Sequence, residues 1–247
     1  MNIVAIIQAR TGSTRLPNKI LLPIIEKPLI WHIFNRLSFC NKINKAILAT
    51  TINSNDDILV DWAIKSNIEY FRGSENNVLE RYYETAKKFE ADIIVRITAD
   101  DPFKDPQIID KVIEMLISKD LDFAYNNNPP TFPEGLDTEV FTFKALETAY
   151  QMSIDNFEKE HVTQYFYKNK SQFKQDNFSN LENLSHLRWT IDTDKDLEMT
   201  RMVYEELYKE SYIFFSDDIL NLIRMKPEIS KINQSEKRSE MYKNLNI

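Results

Sequence analysis

Alternation between short apolar runs and longer amphipathic stretches constrains this chain more than any other feature. The runs fall at 3–7, 46–51, 68–71, 93–98 and 123–126, with helix-spaced patterns between them at about 28–39, 55–66, 76–90 and 106–118. This alternation predicts parallel strands joined by right-handed crossover helices. A near-continuous apolar run such as Ile93-Ile94-Val95 fits a sheet covered on both faces. The rhythm breaks at Asn126-Asn127-Asn128-Pro129-Pro130, a loop with strong turn chemistry. Beyond it the sequence predicts a strand over 138–143, helices at about 144–152 and 156–169, and strands at 173–178 and 187–191. A helix over about 194–209, a short one over 216–225 and a polar tail from about 227 complete the chain. The expected fold is one α/β domain, Rossmann-like, with a mostly parallel sheet, helices on both faces and an inserted region at about 128–180.

Composition narrows what such a fold can do. With 247 residues, 43% of them hydrophobic, the chain can build a full core without staples. Its single cysteine, Cys40, excludes an internal disulfide, fits a reducing compartment and reads as buried filler. The first apolar run is too short for a signal peptide, and no run approaches the roughly 18 apolar residues of a membrane span. A cytoplasmic protein with no membrane partner is expected. The net charge of −7 argues against nucleic acid as a partner. Even so, residues 1–25 carry Arg10, Arg15 and Lys19 and no acid, which points to a local anion site. Glycine occurs only at Gly12, Gly73 and Gly135, so each is expected where the backbone demands it.

The first run ends in Gln8-Ala9-Arg10-Thr11-Gly12-Ser13-Thr14-Arg15-Leu16-Pro17-Asn18-Lys19. Ligands of doubly wound sheets bind beyond the carboxyl ends of the strands. A loop of Gly, Ser and Thr there can turn backbone N–H groups toward phosphate oxygens. Arg10, Arg15 and Lys19 supply charge for a triphosphate, and no acid lies near them in sequence. Neither GxxxxGK(S/T) nor GxGxxG is present, so P-loop hydrolysis and dinucleotide binding are unsupported. Asp100-Asp101 follow the run at 93–98, and Asp192, Asp194 and Asp196 follow 187–191. If both strands run parallel to the first, these acids converge on the cationic loop. A triphosphate beside carboxylates calls for Mg²⁺. The residues alone leave alternatives open: Asp194 can N-cap the next helix with Asp196 in its first turn, and Asp100-Asp101-Pro102 can be an ordinary turn. Arg96, inside an apolar strand, needs either an ion-pair partner or a phosphate.

The segment 8–33, QARTGSTRLPNKILLPIIEKPLIWHI, resembles the opening of the cytidylyltransferase superfamily that makes CMP-activated acidic sugars. Its members begin with a strand and a loop of the form P/Q-A-R-x-x-S-T/K-R-L/I-P-x-K, then G-K-P-L/M-I/L. The likeness is to the group related to the spore-coat polysaccharide protein SpsF, then to CMP-Kdo and CMP-acylneuraminate synthetases. Glu26 stands where the family usually has Gly, at a turn position. The resemblance continues through 71–86, 91–110, 133–150, 158–163 and 184–199. It implies transfer of CMP from CTP to an acidic sugar with release of pyrophosphate, for surface polysaccharide or glycan synthesis.

It also implies Mg²⁺ held by Asp100, which lines up with the first acid of a G-D-E-P element, and by Asp192, which lines up with the acid of V-D-T-P-E-D-L. Arg10, Lys19 and Asp100 become the catalytic candidates. Ala9, Arg10, Thr11, Gly12, Ser13, Arg15, Lys19, Arg72, Gly73 and Arg81 become the nucleotide-binding set. Asp137, Glu139, Glu160 and His161 are candidates for the sugar. A homodimer through 128–180 is expected, and the aromatic residues there, including Phe141, Phe143, Tyr150, Phe157, Tyr165, Phe166 and Tyr167, suit an interface core. The rival readings are a glycosyltransferase using Asp192-Thr193-Asp194 as a D-x-D metal motif, or a non-catalytic binding protein. The cationic opening loop suits a free triphosphate better than a nucleotide diphosphate sugar, and a non-catalytic protein would be expected to lose the cationic or acidic groups that all remain here. A nucleotidyltransferase with another base or acceptor is the further alternative.

Overall fold

Residue choice along the first strand sets the sheet. In the computed structural model, which describes residues 1–210 and 212–236, β1 (Ile3–Gln8) is central. Its side chains alternate between two cores. Ala5 and Ile7 face α1 (Leu29–Leu37) and α4 (Pro106–Ser118). Val4 and Ile6 face α3 (Val78–Lys88) and α5 (Phe143–Met152). β1 pairs in parallel with β4 (Lys45–Thr51) on one side and β6 (Ile93–Thr98) on the other. A two-strand hairpin of β2 (Pro23–Ile24) and β3 (Lys27–Pro28) precedes α1, and α2 (Asp57–Lys65) leads to β5 (Tyr70–Gly73). The full order is β5-β4-β1-β6-β8-β7-β9, where β7 is Phe123–Tyr125, β8 is Glu139–Thr142 and β9 is Gln175–Asn177. Only β8 runs antiparallel to its neighbours. Chain order reverses direction at β1, so a crevice opens beyond the carboxyl ends of β1, β4 and β6.

Helix starts obey local chemistry. Asp105 caps α4 by accepting from Gln107 N–H at 2.9 Å, with Pro106 in the first turn. Thr193 and Asp196 form a capping box on α8 (Asp194–Leu207). The cap is thus Thr193 rather than Asp194. After α8 come α9 (Ser216–Met225) and α10 (Pro227–Lys231). The expected polar tail is therefore partly helical and docked: Asn233 is only 2% exposed. The remainder of that tail, 237–247, lies outside the described residues.

The region 128–180 differs from a separate insertion. Its strands β8 and β9 join the main sheet, and β8 separates β6 from β7. The helix expected over 156–169 is two short helices, α6 (Asn156–Glu160) and α7 (Gln164–Lys168). Phe141, Tyr165, Phe166 and Tyr167 are buried with Phe123 and Phe173 in the second core, while Phe143 and Tyr150 stack on Tyr83. The chain covers most of these rings itself, so they no longer argue for an interface. Elsewhere, burial pushes the Cys40 thiol up and holds His32 down at about 4, as befits structural groups. Among the described residues no helix is long and apolar enough to cross a membrane.

The strand expected over 187–191 is the main departure. That segment is extended yet makes only a single bridge, Arg188 to Glu134. Glu134 N–H donates to Leu187 C=O at 3.0 Å, and Trp189 N–H to Glu134 C=O at 2.7 Å. Gly135 sits at the crossing with φ 105°, and a Cβ there would stand 2.6 Å from the Trp189 carbonyl oxygen. Neither the angle nor the gap admits a side chain. Gly135→Ala should cost about 2 kcal/mol or more, since strained backbone alone costs roughly 1–3 kcal/mol. Urea unfolding checks this, and an unchanged midpoint would refute the close approach.

Candidate active site

Three segments meet at the carboxyl edge of β1. The loop after β1 brings Lys19, the turn after β6 brings Asp100, and the 187–191 segment brings Asp192. Ile191 N–H donates to Asp100 C=O at 2.9 Å, which ties the two acidic turns together without a sheet ladder. Lys19 Nζ donates to Asp100 Oδ2 at 2.9 Å, to Asp192 Oδ1 at 2.8 Å and to Ile191 C=O at 2.8 Å. Arg15 also reaches Asp192 Oδ1, at 2.9 Å. Arg10 pairs with Glu75 at 3.3 Å. No acid lies near these cations in sequence, yet acids distant in sequence pair with them, so their charge is not simply available.

This edge forms one wall of a cleft of about 800 Å³. Ala9, Arg10, Gly12, Ser13, Arg15, Lys19, Arg81, Asp100, Glu160, His161 and Asp192 all line it, as do Gln8, Thr98, Arg96, Asn156 and Lys159. Arg81, on α3, is 3% exposed, and among the described residues no carboxylate lies within ion-pair distance of it. Its contact is one donated hydrogen bond to the Ser74 carbonyl, and its Nε has no hydrogen-bond partner. Burial is the largest effect and lowers its pKa; Arg10 also lowers it, while Asp56 and Glu75 act the other way. A buried guanidinium with no carboxylate in contact is costly; Asp56 and Glu75 act on it only from a distance.

Five expected site residues lie elsewhere. Thr11 is buried and holds the loop in place: its N–H and Oγ1 both donate to Asp56 Oδ1 at 2.7 Å. Arg72 turns away from the cleft to the Thr51 and Asn53 carbonyls and to Asp57. Gly73 packs under Arg81, where a Cβ would stand 3.0 Å from the arginine's Cγ. Asp137 offers its carbonyl to Lys104. Glu139 is buried behind the cleft wall and accepts from Arg96 at 2.6 Å, Tyr167 at 2.9 Å and Thr163 at 3.0 Å. Sequence reasoning missed Asp56, Asn156 and Lys159. Its partner Thr51 ends β4 five residues earlier, but Thr11, which it holds in place, lies 45 residues away in another loop.

Electrostatics sort the acids. Asp101 is buried on Lys104 and Thr98, at 2.9 and 2.6 Å, and burial raises its pKa; it is structural. Asp194 is exposed at the start of α8 and absent from the cleft wall, so the D-x-D reading fails. For Lys19, burial opposes the charge, but Asp100 and Asp192 outweigh it and raise its pKa. Burial likewise opposes the Asp192 charge, yet Lys19, Arg15 and Arg188 hold its pKa below the ordinary carboxylate value. His161 is lowered, chiefly by burial, and is neutral at pH 7.

Asp100 and Asp192 already converge on one cation, the Lys19 ammonium. Among the described residues no group of three or more His, Cys, Asp or Glu side chains could hold a metal. A metal here must complete its shell with water and substrate oxygens, which suits Mg²⁺.

A carboxylate depressed in the fold adds stability above its unfolded pKa and loses it as pH falls through the folded one. Unfolding free energy should therefore drop below about pH 4. Asp192→Asn should make that decline shallower. Urea titrations at a series of acidic pH values check it, and equal slopes for both proteins would contradict the ion-pair assignment.

The family model for cytidylyltransferases matches residues 4–244. A protein of Methanocaldococcus jannaschii is 38% identical over 247 residues, spanning 98% of each chain. The spore coat polysaccharide biosynthesis protein SpsF of Bacillus subtilis is 29% identical, over 95% of this chain and 99% of its own. A cytidylyltransferase structure from Leptospira borgpetersenii superposes with a TM-score of 0.89 at 32% identity, covering 97% of this chain and 99% of that one. With its cationic loop, its paired acids and this fold, the chain belongs to the cytidylyltransferase family.

Proposed function

We propose that this cytidylyltransferase moves CMP from CTP onto an acidic sugar, releasing pyrophosphate, with Mg²⁺ held by Asp100 and Asp192. The observation that carries the reading is Lys19 Nζ, held by both carboxylates at the mouth of the cleft. When CTP binds, Lys19 and Arg15 trade their acids for phosphate oxygens. Asp100 and Asp192 are then left with excess negative charge for a divalent cation. Bound there, Mg²⁺ supplies charge neutralisation at the α-phosphate and the departing pyrophosphate. Arg10 and Arg81 take the far phosphates, where the buried guanidinium lacks an acid. The sugar enters along Arg96, Lys159 and His161, where Lys159 favours an acidic acceptor and Arg96 keeps its pair with Glu139. The likeness to SpsF supports a place in surface polysaccharide or glycan synthesis, in the cytoplasm where CTP is made.

We further propose a homodimer. Met152 and Ile154 remain 57% and 85% exposed at the end of α5, next to the cleft-lining Asn156. A second subunit there would border the sugar pocket. Sedimentation at micromolar concentration should give a dimer, and a catalytically active monomer would overturn it.

The function itself is tested by pyrophosphate release, crossing four nucleoside triphosphates with a panel of acidic and neutral sugars. Turnover should require CTP and an acidic sugar, and excess chelator should abolish it. Asp192→Asn and Lys19→Ala should each lower kcat by about 100-fold or more, as loss of an electrostatic stabiliser does. Full turnover with a neutral sugar, or in excess chelator, would refute the reading.

A further inference from the structure

The acid Asp192 is held from behind by a buried network that ends in the C-terminal segment. Arg188 NH2 donates to Asp192 Oδ2 at 3.0 Å, leaving Oδ1 turned toward Lys19 and Arg15. The guanidinium is fixed by two further acids. NH1 donates to Glu134 Oε2 at 2.7 Å. Nε and NH2 clasp Asp196 Oδ1 and Oδ2, at 2.9 and 3.0 Å. Asp196 is fully buried, and its two oxygens are used differently. Oδ2 accepts from the Asp192 and Thr193 N–H groups and from Thr193 Oγ1. Oδ1 accepts from Arg188 and from Asn233 Nδ2, the latter at 2.9 Å. Asn233 also donates to the Arg188 carbonyl at 3.0 Å. One amide therefore clamps both the acid that holds Arg188 and the backbone of Arg188 itself.

We infer that Asn233, acting through Asp196 and Arg188, is a positioning residue for Asp192, so that the C-terminal segment tunes the grip of the enzyme on its divalent cation. Four acids, Asp100, Asp192, Asp196 and Glu134, surround Arg188, Lys19 and Arg15. Such a cluster stays ordered only while every oxygen keeps a donor. Without Asn233, the Asp196 Oδ1 side of the clasp depends on Arg188 Nε alone, and the plane of the guanidinium loosens. Asp192 then loses its fixed orientation, which is what an outer-shell partner provides to a metal-binding carboxylate.

This inference rests on the reading that Asp100 and Asp192 hold the metal, and calorimetry separates the two. CTP affinity is measured with Mn²⁺ and with the metal removed by chelator, and the ratio is the gain due to metal. In the unmodified protein the ratio should be well above one. In Asn233→Leu, which keeps the side-chain size, it should fall measurably, by up to the roughly tenfold lower bound for a direct outer-shell partner such as Arg188, while metal-free CTP affinity holds. Asn233→Asp, which sets a second carboxylate against Asp196, should lose at least as much. Ile229→Val, a packing change in α10, should lower the melting temperature and leave the ratio intact. An unchanged ratio in both Asn233 variants would overturn the inference. So would equal losses in Asn233→Leu and Ile229→Val, since those report only a loosened helix. A ratio near one in the unmodified protein would overturn the metal reading itself, and this inference with it.

Discussion

The contact on which the rest of the structure depends is the Lys19 ammonium between Asp100 and Asp192. It joins segments separated by 81 and 173 residues. Each segment arrives by a different device. The β1 loop is pinned where Thr11 meets the buried Asp56. Asp100 follows β6, which lies beside β1 in register. Asp192 comes on a strap that crosses the chain at Gly135. Because the sheet changes direction at β1, these devices converge on a crevice rather than on separate faces.

Buried charge explains much of the remaining architecture. Arg188 lies among Glu134, Asp192 and Asp196. A cluster of this kind gains little net stability over apolar packing, but removing one member leaves an uncompensated charge. Its value here is geometric: it fixes Asp192 from behind while the open side of that carboxylate faces Lys19 and Arg15. Arg96 with Glu139 repeats the arrangement on the cleft wall, with Tyr167 and Thr163 supporting the acid. Arg81 is the exception, a buried guanidinium that among the described residues touches a backbone carbonyl and no carboxylate.

Local patterns were legible in the sequence, and cross-chain partnerships were not. The period of the apolar residues located β1, β4 and β6 and the four helices α1 to α4 between β1 and β7, because those elements bury continuous or one-sided faces. The cationic loop and the acids at Asp100 and Asp192 followed from strand ends and from family likeness. The 187–191 segment misled because a strap buried on both sides carries the same apolar signature as a strand; Ile191 and Trp189 are both inside. The aromatic residues between 141 and 167 misled because β8 and β9 extend the main sheet and give those rings a core of their own. Arg72 and Arg81 look alike in sequence, yet one serves backbone carbonyls while the other faces the cleft. Asn233 carried no local signal, since its partners Asp196 and Arg188 lie 37 and 45 residues away.

The account turns on an exchange of partners, in which Lys19 leaves its carboxylates for phosphate and a metal takes its place. A crystal structure with CTP and Mn²⁺, with the metal located by anomalous scattering, observes that exchange directly. The account predicts an anomalous peak coordinated by Asp100, Asp192 and phosphate oxygens, with Lys19 Nζ on the triphosphate. A peak elsewhere, with Lys19 still bridging Asp100 and Asp192 beside bound CTP, would contradict it.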